Sequence, residues 1–154
     1  MPFRLVARLG LGVFAAIAAL TLFSKKKKVF VSYYYDDDKH YKRLLTAWSA
    51  NDKFSLEFED VSTDVSIKSD NTEYIRRVIS DKIDQCDVFV VLVGKKSHRR
   101  EWISWEIIKA KEYRKKIIAI KGKRNYASPP ELLSAGTEWV YGFEEKKIRE
   151  AIEG

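Results

Sequence analysis

The stretch from Cys86 to Tyr113 constrains this chain more tightly than any other. Asp87-Val88-Phe89-Val90-Val91-Leu92-Val93 is a continuous β-branched and aromatic run. Successive side chains of a strand point to opposite faces, so such a run must be covered on both sides, as in the centre of a parallel sheet. Gly94 ends it, and Lys95-Lys96-Ser97-His98-Arg99-Arg100 makes a polar turn. A helix is expected from Glu101 to about Arg114. At 100° per residue, Trp102, Ile103, Ile107, Ala110 and Tyr113 share one face, and Glu106 projects through the middle of it. A carboxylate on an apolar face costs several kcal/mol unless paired. Two readings account for it: a structural ion pair with Lys109 or a basic turn residue, or a functional role.

The rest of the chain alternates strands and helices around this unit. Strand one is expected over Lys28 to Tyr34, followed by Asp36-Asp37-Asp38 and a helix with Tyr41, Leu44, Leu45 and Trp48 inward. The aspartates suit a helix N-terminus, where acids face the positive end of the dipole. A metal-binding phosphoreceiver also has acids here, but it needs an aspartate acceptor after its third strand, where this chain has Gly94-Lys95. That reading fails. Phe54 to Phe58 reads as strand two, and Glu59 to Asn71 as a long polar loop. A helix with Asp70 and Glu73 as capping pair follows, carrying Ile75, Val78, Ile79, Ile83 and Cys86 inward. Strand four is expected over Lys116 to Ile120, a short helix after Pro129-Pro130, strand five over Glu138 to Tyr141, and a closing helix over Phe143 to Ile152. This order predicts an α/β fold: a flavodoxin-like three-layer sandwich with a five-stranded parallel sheet of order 2-1-3-4-5. Ligands of such sheets bind at the carboxyl ends of strands one and three. Tyr33 to Asp36 and Gly94 to Ser97 both fall there.

The formal charge of +7 is concentrated at one end. Residues 1–28 contribute +6, from Arg4, Arg8 and Lys25 to Lys28, with no acid; the remainder carries 23 basic and 22 acidic side chains. A nearly neutral folded part argues against nucleic acid as a partner. The single cysteine, Cys86, excludes an intrachain disulfide, and no residues have metal-ligand spacing.

Leu9 to Phe23 is uncharged and almost wholly apolar, between two arginines and four lysines. As a helix it spans about 22 Å, which snorkelling basic flanks extend towards the ~30 Å hydrocarbon core. The expectation is an N-terminal hydrophobic helix, a membrane anchor within residues 1–27 that enters the bilayer through residues 5–24. Residues 28–154 form the folded domain. A cleaved signal peptide, with Ala16-Ile17-Ala18 as cleavage site, and an acid-free transit peptide are the competing readings. The flanking charges place the carboxy-terminal domain in the cytoplasm, in a single-pass arrangement.

Two motifs, in order, carry a resemblance. Val29-Phe30-Val31-Ser32-Tyr33 is similar to the opening strand of TIR domains. Val91-Leu92-Val93-Gly94-x-x-Ser97-x-x-x-x-Trp102-x-x-x-Glu106 resembles the corresponding segment of the TIR-like subunit of the Thoeris anti-phage system. The resemblance covers roughly Lys28 to Ile120. The TIR Pro-Gly pair is missing from the loop after strand two. The resemblance implies that Glu106 is the catalytic glutamate that breaks the nicotinamide–ribose bond of NAD, here a substrate and not a cofactor. It implies a cyclic ADP-ribose-type product, a separate effector activated by that product, and self-association through the domain.

By position, Tyr33, Tyr34 or Tyr35 would stack on a ring of the ligand, Ser97 would hydrogen-bond it, and Trp102 would wall the pocket. The basic turn Lys95 to Arg100 is either a solvated turn or a contact for pyrophosphate. A non-enzymatic TIR-like adaptor is the alternative. Trp105 and Ile108, on the flank away from Glu106, would then form a self-association contact. A tethered nucleotide sensor without turnover is the third reading.

Overall fold

A computed structural model of the protein describes residues 26–50, 56–59 and 71–154. The expected N-terminal hydrophobic helix, the signal-cleavage alternative and most of the polar loop after strand two lie outside the described residues. Among those described, no helix is long and apolar enough to cross a membrane.

The described strands form one parallel sheet: β1 (Lys27–Ser32), β2 (Leu56–Glu59), β3 (Val88–Val93), β4 (Lys116–Lys121) and β5 (Glu138–Tyr141). Their spatial order is β2-β1-β3-β4-β5, as the alternation of elements predicts. All six residues of β3 are buried, and its neighbours β1 and β4 pair with it in continuous register. Val88 to Val93 therefore feed two cores at once. On one face Phe89, Val91 and Val93 meet Ile79 and Ile83 of α2 (Thr72–Gln85) and Ile103, Ile107 and Ala110 of α3 (Glu101–Glu112). On the other, Val88, Val90 and Leu92 meet Leu45 of α1 (Tyr35–Ser49) and Ile148, Ala151 and Ile152 of α4 (Glu145–Glu153). Phe30 stacks on Phe89 across β1 and β3, with centroids 5.4 Å apart.

Several expected details shift. The N-cap of α2 is Asn71, whose side chain accepts from the backbone N–H groups of Glu73 and Tyr74 at 3.0 and 3.2 Å. This short amide satisfies two orphan donors by itself, so the expected Asp70–Glu73 pair is not the cap. The α1 helix starts at Tyr35 with no side-chain cap, which puts all three aspartates in its first turn. Pro130 opens a 3-10 helix, Pro130–Ser134, that seals the first core with Leu132. Trp102 turns out to solvent at 39% exposure, while Trp105 packs partly into the first core. The Arg76 guanidinium of α2 lies 5.6 Å from both indole rings, a cation–π contact from the solvent side.

Candidate active site

Strand β1 ends at Ser32, a small hydroxyl directly after the apolar run Val29-Phe30-Val31. The parallel register sets Ser32 beside Val91, so its side chain emerges on the same face as Phe30, under α3. There it meets Glu106. Ser32 Oγ donates to Glu106 Oε2 at 2.5 Å, joining residues 74 positions apart in the chain. Ser32 is 1% exposed, and Glu106 is half-buried with its carboxyl turned into the protein.

Among the described residues, no cation stands beside the carboxyl. Lys109, its expected partner, pairs instead with Glu112 at 2.6 Å, one helical turn further out. Burial pushes the Glu106 carboxyl up to about 7, and the Ser32 hydrogen bond is the only influence that opposes it. The ion-pair reading of this residue therefore does not hold. A buried acid poised near neutrality, with one hydroxyl partner, is left on an apolar helix face.

A cavity of about 450 Å³ lies where the segment after β1 meets the start of α3. It is lined by Tyr33 and Tyr34, which follow Ser32, and by Arg99 to Ile103, which lead into α3. Glu106 lies one helical turn beyond Trp102 and Ile103 and is not itself in the lining. Three expected residues, Tyr33, Tyr34 and Trp102, thus come together around one cavity, with Glu106 one helical turn further along α3. Tyr35 does not join them: it is 51% exposed, with Lys39 over its ring. Ser97 is fully buried. Its Oγ accepts from Gly94 N at 2.9 Å and donates to Leu92 O at 3.1 Å, closing the turn after β3.

Two features of the site carried no clear sequence signal. The Arg100 guanidinium lies 3.6 Å from the Tyr34 ring centroid, and Tyr34 Oη donates to Asp36 Oδ2 at 2.6 Å. The lips of the crevice, the loops after β1 and β3, are held together by this stack and by the Lys96–Asp37 ion pair at 3.1 Å. Asp38 is 3% exposed, with one carboxyl oxygen unbonded, and burial followed by the neighbouring Asp37 charge pushes its carboxyl up. It fits only because residue 94 is glycine. A Cβ there would stand 2.1 Å from Asp38 Oδ1. Among the described residues, no cluster of His, Cys, Asp and Glu is placed to hold a metal ion.

Comparison with known structures finds a similar fold. A CMP N-glycosidase of Clostridium botulinum, BcmB, superimposes with a TM-score of 0.56 at 21% identity, covering 82% of this chain and 98% of that one. It shares the fold. The TIR domains of the activated Roq1 resistosome directly recognizing the pathogen effector XopQ align more loosely, with a TM-score of 0.46 at 16% identity over 62% of this chain and 57% of that one. A search of curated protein sequences gave no match. The family model described as Thoeris protein ThsB, TIR-like domain, matches residues 30–126, which run from the strand bearing Ser32 through the helix bearing Glu106. This chain belongs to the Thoeris ThsB family of TIR-like domains.

Proposed function

We propose that the domain cleaves the nicotinamide–ribose bond of NAD, with Glu106 as the catalytic group. The observation that carries this reading is the Ser32–Glu106 pair: a carboxyl with no cation beside it among the described residues, one helical turn along α3 from residues that line an aromatic-walled cavity. Breaking the bond develops oxocarbenium character on the ribose, as in other glycoside cleavages. A carboxylate near that sugar stabilises the cation, more strongly in a partly desolvated site than in water. Nicotinamide leaves as a neutral group, so no separate general acid is needed. Ser32 holds one carboxyl oxygen and favours the ionised form, and Tyr33 or Tyr34 offers a face to a ring of the substrate. The fold-sharing BcmB is by name an N-glycosidase of a nucleotide, the same bond class.

The test is turnover of NAD by purified full-length protein, with and without phage-infected lysate, analysed chromatographically. Loss of the Glu106 charge in Glu106→Gln should lower turnover by roughly 10²–10³-fold, the scale of a preorganised electrostatic contact. The rate of the wild type should rise with pH through about 7, because the ionised carboxyl is the active form. Full turnover by a folded Glu106→Gln protein ends the assignment.

The wider reading is a membrane-anchored domain, residues 28–154 on an anchor within residues 1–27, facing the cytoplasm. Its product is a cyclic ADP-ribose-type signal that activates a separate effector in anti-phage defence. A second reading, a non-enzymatic adaptor acting by self-association, is favoured by one observation. Tyr74, Trp102 and Ile108 leave α2 and α3 with exposed apolar side chains.

A further inference from the structure

The turn between β3 and α3 places Lys95, Lys96, His98, Arg99 and Arg100 around a second cavity of about 340 Å³, whose lining consists of these five residues. Arg99 and Arg100 also line the aromatic cavity, so the two spaces share one pair of arginines. Two donors inside this lining have no acceptor. Arg99 Nε donates to His98 Nε2 at 3.1 Å. A ring nitrogen that accepts carries no proton, so the imidazole proton is assigned to Nδ1 by this hydrogen bond. Among the described residues, neither this buried Nδ1 nor Arg100 Nε has a partner. Buried donors left unpaired are costly, and here the residues that carry them line a cavity together with two lysines and no acid. Asp37, outside the lining, is engaged by Lys96 at 3.1 Å, and Glu101 lines the aromatic cavity and not this one.

We propose that this cavity is a phosphoryl-binding subsite, in which His98, Arg100, Lys95 and Lys96 hold the diphosphate of a dinucleotide whose nicotinamide–ribose half enters the adjoining aromatic cavity. Phosphoryl oxygens accept from several directions, satisfy both orphan N–H groups and balance the lysine charge, as a solvated turn does not. The orientation of the ligand rests on the NAD reading above. The affinity of the basic cavity for diphosphate does not.

Calorimetric titration of the full-length protein with inorganic pyrophosphate tests the subsite. Wild type should bind, with affinity falling as salt rises. His98→Ala and Lys95→Gln, made separately so that one folding failure does not decide the matter, should each weaken binding about five- to tenfold, and their combination more. Lys146→Gln, at an exposed pair with Glu150 on α4, should bind as wild type. Glu106→Gln should also bind pyrophosphate as wild type, so that loss of the glycosidic reading and loss of the subsite are separable. In NAD turnover, Lys95→Gln should raise KM with kcat little changed. Absence of pyrophosphate binding by wild type, or equal weakening by Lys146→Gln, overturns the proposal. Tighter binding of a single-stranded oligonucleotide than of pyrophosphate also overturns it, by assigning the basic turn to nucleic acid.

Discussion

Replacing Glu106 by glutamine should stabilise the protein above neutral pH while removing its proposed activity. The carboxyl sits at about 7 in the folded chain against an ordinary value of 4.5. At about 1.4 kcal/mol per pH unit, and allowing for the residue's partial exposure, the ionised form costs the fold roughly 2–3 kcal/mol. The sign follows from proton binding. Between 4.5 and about 7 the folded state holds the proton and the unfolded state does not, so stability falls as pH rises through that window and is lowest above it. Glutamine has no proton to lose. It keeps an oxygen to accept from Ser32, and only its NH₂ group is a new demand, which trims the gain. For a chain of this size, each kcal/mol moves Tm by about 2–4 °C, so Glu106→Gln should melt roughly 4–10 °C higher than wild type at pH 8. The gap should close towards pH 5. Circular dichroism melts at pH 5, 6.5 and 8 measure it. A variant that melts lower than wild type by the same amount at every pH would refute the reasoning, because it would mean that the carboxylate has a stabilising partner.

Gly94→Ala should force Asp38 out of its buried position and cost about 1–3 kcal/mol, read by urea denaturation; unchanged stability would show that the carboxyl moves away freely. Ile108→Asp places a charge on a 42%-exposed site of α3 without disturbing the core, so it should lower oligomer mass in light scattering with Tm unchanged if the α2–α3 surface is a self-association contact. Unchanged mass would remove that surface from consideration. Full-length protein should sediment with membranes and resist alkaline extraction, whereas mature protein starting near Ala19 would establish signal cleavage instead.

The sequence by itself determined the sheet. Val88 to Val93 has no polar side to offer, so it had to be central, and short strands alternating with amphipathic helices leave few parallel topologies that cover it. It also located Glu106, because a carboxylate within an apolar stripe stands out at helical spacing. What periodicity cannot express is which distant side chain meets which. Lys109, an equally plausible partner on the same helix, turned outward to Glu112, and Ser32 on β1 took the carboxyl. Pattern also read α3 as burying Trp102 and exposing Trp105. The reverse holds: Trp105 packs against the first core, and Trp102 lies edge to face on it, towards solvent and within reach of Arg76. Tyr33, Tyr34 and Tyr35 look alike in sequence. Strand β1 ends before Tyr33 and α1 begins at Tyr35, so that backbone turn sends two rings to the cavity and one to solvent. Local chemistry sets the faces of strands and helices. Which faces converge on a buried acid is decided by the packing of α3 across the end of β1, a long-range contact with no local signature.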